Sequence, residues 1–538
     1  MVDVVTLVVA CLPCVCLLFA ATFQMIGAMQ QGGYECGNFL RWLKRKDNLY
    51  FNRLFVWSGL SVCSTAVVAA CFLPLGVKTA RLLTALPFFA CCLTFVLAGR
   101  KYALKVPVKR TSRLLRISAL YILIVACALY VLLAFLNFFD GLIPYGFYSA
   151  FAFLPVSLLP LALPFLLCAA AWLEGFYARH RNGKYIKRAG QVLNETPENK
   201  DMIRVGIVGS YGKTSVKNIL SSILSVKYDV IATPKSYNTP MGVARTVLEE
   251  GVTGKQVFIA EMGARKKGDI AELCSFVAPN YAILTGVCAQ HIASFGSEEE
   301  VLEAKCEVLQ GAEKVVASGE LRDKMISAGL LTGNCQFVDF SSAIKNLELK
   351  ADKTQFTLVL GEEEIFVSTK LLGAHSAENI SIAAALAKEM GLTAEEIAKG
   401  LDGIQFVPHR LELSESGGVY ILDDGYNTNE RGAKAALEAL GRFAGKKLVV
   451  TPGIVECGVL EEKINGELGK AIAEANLDGV ILVGETLVGA VKDGYLAAGG
   501  DKEKLSVVST LDGAKELLQG VLGQGDCVLF LNDLPDVY

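Results

Sequence analysis

The order of apolar and polar positions divides the chain in two. In the first third, long unbroken apolar stretches alternate with short polar loops: Val4–Ile26, Leu54–Leu75, Leu82–Ala98 and Leu115–Phe138. A helix needs about 20 such residues to cross the hydrocarbon core of a bilayer, so each stretch reads as a span. Gly141–Leu173 is longer and carries Pro144, Pro155, Pro160 and Pro164, which reads as a kinked span or a re-entrant piece followed by a span. Five transmembrane helices are expected within residues 1–177, then a polar linker over 178–202. Beyond it the period changes. Short apolar runs at Arg204–Gly209, Val257–Glu261 and Tyr281–Thr285 alternate with stretches of helical period, which predicts a doubly wound parallel sheet. Lys447–Thr451, Gly479–Val483 and Asp526–Leu531 predict a second Rossmann-like unit. The fold class is an α-helical membrane region plus α/β.

Charge follows the same division. Residues 1–177 hold 14 basic and 5 acidic residues, a net of +9; the remainder holds 38 and 49, a net of −11. The basic residues of the first part sit in alternate loops. Arg41, Lys44, Arg45, Lys46 and Arg53 precede the second span, Arg100 to Arg116 precede the fourth, and Arg179, Arg181, Lys184, Lys187 and Arg188 follow the last. The loops between carry only Lys78 and Arg81, or Asp140. This bias predicts a multi-pass protein of the cell membrane with its N-terminus outside and everything after residue 177 in the cytosol. The first stretch has no basic start and no small-residue cleavage pattern, so it reads as an anchor. No ionisable group lies deep within a span, which argues against an ion transporter. With 20% charged residues and 52% apolar ones, a disordered chain or a fibre is excluded. No basic patch suggests nucleic acid. Ten of 16 cysteines lie before residue 177, mostly in apolar runs, and the other six lack metal-site spacing. Cys11, Cys14 and Cys16 have no nearby histidine or acid, which favours helix packing over a metal.

The chemistry is concentrated after Arg204. The strand there runs into Gly209, Ser210, Tyr211, Gly212, Lys213, Thr214 and Ser215, then a helical stretch. Strand, glycine turn, Lys-Thr and helix form a phosphate cradle, in which backbone amides and the helix N-terminus bind anionic oxygens. Lys213 would neutralise the β- and γ-phosphates and the Thr214 hydroxyl would sit on Mg²⁺. The strict pattern wants a glycine where Ile207 stands, so a plain βα turn with an exposed lysine is the competing reading. Glu261 ends the second strand, where a hard cation would find an oxygen ligand. His291 lies just past the third strand and is a candidate metal ligand; a surface or packing histidine is the alternative.

These residues resemble the Mur ligase family, ATP-dependent amide ligases of cell-wall synthesis, over about residues 203–538. Gly209-Ser-Tyr-Gly-Lys-Thr-Ser215 matches the family's shorter loop, and Asn238-Thr-Pro-Met-Gly-Val243 the segment that follows it. Glu261-Met-Gly-Ala264, His291 through Phe295-Gly-Ser297, Lys305-Cys-Glu307, Gly373-Ala-His375-Ser-Ala-Glu-Asn379, Pro408-His-Arg410-Leu411 and Asp423-Asp424-Gly-Tyr426-Asn427-Thr-Asn429 are similar to its further motifs, in order. The resemblance implies a P-loop-type central ATP-binding domain over 203–407 and a C-terminal Rossmann-like domain over 408–538. It implies ATP and two Mg²⁺ ions, one on Thr214 and Glu261 and a second on His291, with Lys305 carbamylated by CO₂ into an anionic ligand. It also places Asn379 on the nucleotide, Arg410 on the γ-phosphate and Asp424 on the ribose. The alternatives are a surface lysine for Lys305, and an interdomain ion pair and a strand-end cap for Arg410 and Asp424. The implied reaction passes through an acyl phosphate, and the match is strongest to members that add D-alanyl-D-alanine.

Four departures stand out: Gly286 replaces the family's usual Asn after the third strand, Ala293 a Glu, Ser376 an Asn, and His409 a Gly. The family's usual first domain, which grips the uridine end of the acceptor, is replaced by the apolar region. A lipid-linked or polymeric cell-envelope precursor is therefore the expected acceptor, with a small amine as co-substrate. A polyglutamate-type ligase and a non-catalytic membrane scaffold are the rival readings.

Overall fold

The computed structural model describes residues 15, 18–19, 22–44, 50–72, 77–99, 108–142, 156–288, 295, 297–331, 335–341, 343–426, 428–455, 457, 460–484 and 487–532. Met1–Arg181 and Asn182–Leu534 each form a compact unit. The first is helical: α1 (Phe23–Gln31), α2 (Cys36–Leu43), α3 (Tyr50–Phe72), α4 (Val77–Gly99), α5 (Ser112–Leu142) and the start of α6 (Leu159–Glu195). Three of the described helices are long and apolar enough to cross a membrane: Arg53–Cys71, Ser112–Leu132 and Leu159–Glu195. They account for three of the five expected spans. Most of the expected first span lies outside the described residues. The expected third span falls in α4, whose apolar part, Leu86–Leu97, is shorter.

The second unit is built on three sheets. The first contains β1 (Ile203–Val208), β2 (Val230–Ala232), β3 (Val257–Glu261), β4 (Tyr281–Leu284), β5 (Lys314–Ala317) and β6 (Gln336–Asp339). All its pairings are parallel, in the order β2-β3-β1-β4-β5-β6. Val205, Ile207, Phe258, Ile259 and Ile283 are fully buried, because helices cover both faces and no polar side can be spared. The chain moves one way from β1 to β3 and the other way to β4. Ligands gather outside the C-terminal strand ends at such a switch point.

The helices that matter to the site are α7 (Lys213–Leu224), α8 (Pro240–Glu249), α9 (Asp269–Val277), α10 (Glu298–Cys306), α11 (Gly319–Ser327) and α12 (Ala374–Glu389). Local signals fix their starts. Thr239 accepts a bond from the Gly242 amide with Pro240 in the first turn, and Ser297 accepts one from Glu300. A small antiparallel sheet, β7 (Ile344–Leu349), β8 (Thr354–Leu360) and β9 (Glu363–Thr369), packs Phe356 and Leu358 into the core beneath α12. The last sheet comprises β10 (Glu412–Ser416), β11 (Val419–Asp424), β12 (Lys447–Thr451), β13 (Gly479–Val483), β14 (Leu505–Val508) and β15 (Cys527–Leu531). Its order is β10-β11-β15-β12-β13-β14, with only β10 antiparallel.

Residues 178–202, expected as a polar linker, carry the end of α6 and a short turn, Pro197–Asn199. Ala189 and Leu193 of that segment are fully buried against the central core. Arg204, at the head of β1, locks it there. Its guanidinium donates to the Leu193 carbonyl (2.7 Å), Asn194 Oδ1 (2.6 Å) and the Val277 carbonyl (3.2 Å). Arg204→Ala would leave the buried Leu193 and Val277 carbonyls unmatched, at a cost of about 3 kcal/mol. Chemical denaturation of the full chain should show a loss of that order; an unchanged midpoint would refute the assignment.

Candidate active site

The phosphate loop is shaped by two glycines. Gly209 lies at φ 151°, and a Cβ there would collide with Thr285 Oγ1. Gly212, at φ 76°, starts α7, and a Cβ there would meet Asn379 Oδ1 at 2.8 Å. Only glycine fits both conformation and space. The loop is anchored to the end of β4: the Ser210 amide donates to the Gly286 carbonyl (2.7 Å), the Cys288 amide to Ser210 Oγ (3.2 Å), and Thr285 Oγ1 to the Tyr211 carbonyl. No side chain caps α7 and no acid sits in its first turn. Its free amides and positive dipole end therefore remain available to an anion. Lys213 curls back over the loop and donates from Nζ to the Gly209 carbonyl at 2.8 Å. Burial pushes its ammonium below the usual lysine range, and Arg410 nearby adds to this, against the pull of Glu261.

Glu261 ends β3 and is 1% exposed. Its amide donates to Thr233 Oγ1 (3.1 Å). Its Oε2 accepts from Thr214 Oγ1 (3.0 Å) and from Lys217 Nζ (3.1 Å), and its Oε1 from Asn238 Nδ2 (3.3 Å). Two oxygen donors, Thr214 and Glu261, thus lie close enough to share one hard cation, and Oε1 has a long bond to spare. The residues fit Mg²⁺. Lys217, fully buried, supplies the charge that such a carboxylate requires. The sequence reading passed over it, although it lies one helical turn beyond Lys213 on the same face.

Lys305, in the last turn of α10, is 3% exposed, and its side chain makes no ion pair or hydrogen bond among the described residues. Burial pushes it down to about 7, helped by the like charge of Lys213. Glu307, two residues on, does other work: its carboxylate accepts the Gly268 (2.7 Å) and Ala271 (2.9 Å) amides at the start of α9. His291 lies outside the described residues, as does Ala293.

The turn before β10 contributes Arg410, whose guanidinium lies 4.8 Å over the Tyr426 ring and is pushed below its ordinary range by burial, with Asp424, Tyr426 and Glu261 opposing. Asp424 turns inward. Its Oδ1 accepts the Leu411 amide (3.1 Å) and its Oδ2 the Thr428 hydroxyl (3.0 Å). Burial raises its pKa. The neighbouring Asp423 binds His409 Nδ1 at 2.7 Å. His375, in the first turn of α12, is pushed down to about 4 by burial and by Arg431, so it is neutral at ordinary pH.

One further contact joins the domains. Arg431, in the first turn of α13 (Glu430–Leu440), donates to the Tyr211 hydroxyl (2.6 Å) and to both Glu378 oxygens (3.0 and 2.8 Å). Its guanidinium lies 5.1 Å over the Tyr211 ring. Tyr211 reaches it because Gly286 leaves room: a Cβ there would overlap the ring. The replacement of the usual Asn by Gly286 thus has a steric partner in the loop.

Gly286→Asn should displace Tyr211 and raise the KM for ATP about tenfold, since overpacking costs about 1–3 kcal/mol. Adding Tyr211→Ser should bring it back. Additive damage in the double variant would refute the coupling.

Comparison with known proteins agrees with this geometry. Residues 207–387 match the Mur ligase middle domain and residues 409–532 the Mur ligase glutamate ligase domain. The UDP-N-acetylmuramoyl-tripeptide–D-alanyl-D-alanine ligase of Bacillus subtilis is 30% identical over 339 residues, 61% of this chain and 72% of that protein. Its Escherichia coli counterpart is 30% identical over 296 residues, 52% of this chain and 64% of that protein. Among solved structures, MurF from Acinetobacter baumannii matches with a TM-score of 0.58 at 25% identity, covering 65% of this chain and 77% of that one. MurF from Thermotoga maritima in complex with ADP also matches at 0.58, with 26% identity and coverage of 66% and 81%.

Proposed function

We propose, because this chain belongs to the Mur ligase family and is an ATP-dependent ligase, that it joins an amine to the carboxylate of a peptidoglycan precursor on the cytosolic side of a membrane. The relatives' names point to a muramoyl peptide as acceptor and D-alanyl-D-alanine as amine. The apolar first unit and its loop charges favour an acceptor carried by a lipid. The observation that carries the reading is the buried Glu261 carboxylate, 3.0 Å from the Thr214 hydroxyl at the mouth of an uncapped helix.

In the proposed reaction the acceptor carboxylate attacks the γ-phosphate, and the amine then displaces phosphate from the acyl phosphate. The protein positions the reactants and stabilises charge. Loop amides from Gly209 to Ser215, together with Lys213, hold the β- and γ-phosphates. Thr214 and Glu261 would hold Mg²⁺, which supplies neutralising charge to the phosphate oxygens when bound. Asn379, packed against Gly212, meets the nucleotide. Arg410 approaches the γ-phosphate from the C-terminal domain. Asp424, expected at the ribose, is given another part: by holding the Leu411 amide it positions the Arg410 segment. Closure of the two domains keeps water from the acyl phosphate.

The neutral form of a buried amine is the form that reacts with CO₂. Lys305 is poised for this, and a carbamate there would turn a repelling cation into a ligand for a second metal ion, for which His291 is the other expected ligand.

Purified full chain, given UDP-linked or lipid-linked muramoyl tripeptide and D-alanyl-D-alanine, should release ADP in proportion to amine consumed. Lys213→Ala should lower this rate at least about a hundredfold, as losing a transition-state charge contact does. No ADP release by the unaltered chain with either acceptor would overturn the ligase assignment.

The rate should fall as pH drops through about 7, where Lys305 takes up a proton and can no longer hold CO₂. Bicarbonate should restore activity lost in CO₂-depleted buffer, and a short carboxylate should partly rescue Lys305→Ala. Full activity of that variant in plain buffer would refute the carbamate.

A further inference from the structure

Glu174 is the one buried acid among the described residues of the first unit, at 1% exposure. It lies on α6, in the candidate span Leu159–Glu195. Its Oε2 accepts from Arg113 Nε at 2.9 Å, and its Oε1 from Arg116 Nε and Nη2 at 3.1 and 2.7 Å. Both arginines stand at the start of α5, whose first turn contains no acid. A helix N-terminus is the positive end of its dipole and disfavours cations. Two cations are nonetheless placed there, with Lys109 and Arg110 just before them, against a single carboxylate. A contact serving only to tie α5 to α6 would be balanced in charge. This one is short of anions.

The arginines are also prepared for a ligand. A guanidinium has five N–H donors in a fixed fork. Arg113 gives one to Glu174 and Arg116 gives two, and the rest bond no protein group among the described residues. Arg113 lies 4.5 Å over the Tyr34 ring and Arg116 5.0 Å over the Tyr177 ring, which fixes both planes. The preceding segment is pinned too: Gln30 exchanges two hydrogen bonds with the Lys109 backbone (2.7 and 2.9 Å), and the Tyr34 hydroxyl is 3.1 Å from Thr111 Oγ1. The guanidinium side chains stay 31% and 29% exposed. Close in sequence, Leu115, Trp172, Leu173 and Phe176 are exposed apolar side chains.

We propose that Arg113 and Arg116, aligned by Glu174 and flanked by Tyr34 and Tyr177, bind the terminal phosphate or diphosphate of a lipid-anchored molecule in the inner leaflet. Paired forks match phosphate oxygens bidentately, and the exposed apolar residues suit the chain of a lipid and not a free ion. The proposal rests on the membrane reading above and deepens it by giving the lipid-linked acceptor a handle.

The test uses full-length protein in phosphatidylcholine vesicles doped with a radiolabelled polyprenyl diphosphate. The unaltered protein should float with the vesicles and retain the labelled lipid. Arg113→Gln and Arg116→Gln should each weaken retention roughly tenfold, the loss of one charge-assisted contact. Arg→Lys at both positions should fall between, because lysine keeps the charge and loses the fork. Helix content by circular dichroism and ATP binding should be unchanged in all variants. A protein that fails to float sinks the membrane reading itself. One that floats but retains the lipid equally with both arginines replaced overturns the site while leaving that reading intact. Complete displacement of the lipid by an equal concentration of inorganic pyrophosphate would overturn the lipid assignment in favour of a soluble anion. Equal retention of phosphatidylglycerol, a phosphodiester, would overturn selectivity for a terminal phosphate.

Discussion

The catalytic unit depends on one carboxylate held out of water. Glu261 is buried, paired with Lys217 and at the tip of the strand beside the phosphate loop. A buried ion is tolerated only if it is paired and its lone pairs are used. Thr214 and Lys217 from α7 and Asn238 before α8 meet that demand together, while Thr233 after β2 holds the Glu261 backbone amide. The same contacts hold the start of α7 against the end of β3, so satisfying Glu261 also sets the position of the loop. Around it stand Lys213, Lys305 and Arg410, each pushed down by burial. The crevice thus gathers basic side chains that burial makes reluctant to carry charge without an anion. A bound polyphosphate would favour the charged forms of Lys213 and Arg410.

Much of this was legible in the sequence because buried parallel strands have no polar face. The runs at Val257–Glu261, Lys447–Thr451 and Gly479–Val483 were read to the residue. The loop was legible because its glycines are demanded by geometry, at φ 76° for Gly212 and by the crowding of Thr285 at Gly209. What stayed hidden was of another kind. Lys217 reads as one more polar helical residue until the sheet places Glu261 beside it. The β7-β8-β9 sheet alternates its burial strictly along β8, a weak signal in a stretch short of other markers. Residues 178–202 look like a linker because only one face of the helix is apolar.

The paired acids at the end of β11 show where such reading stops. Asp423 and Asp424 are adjacent, so the pleat sends them to opposite faces. One goes inward to Leu411 and Thr428, and the other outward to His409. Composition and spacing name the pair. Only the register of the sheet, with Asp424 opposite Leu531 and Asp423 opposite Glu412, decides which member turns inward to the Leu411 amide.

Gly286 and Tyr211 make the complementary point about departures from a family pattern. Taken singly, the loss of the usual Asn weakens the match. In the structure the loss opens the space into which Tyr211 turns, and there its hydroxyl meets Arg431 of the C-terminal domain. Arg431 also binds Glu378, one residue before Asn379 on α12. The phosphate loop, α12 and the C-terminal domain are therefore joined through one guanidinium. With Arg431 in place these three parts are held together without a bound nucleotide, so less binding energy is spent on ordering them.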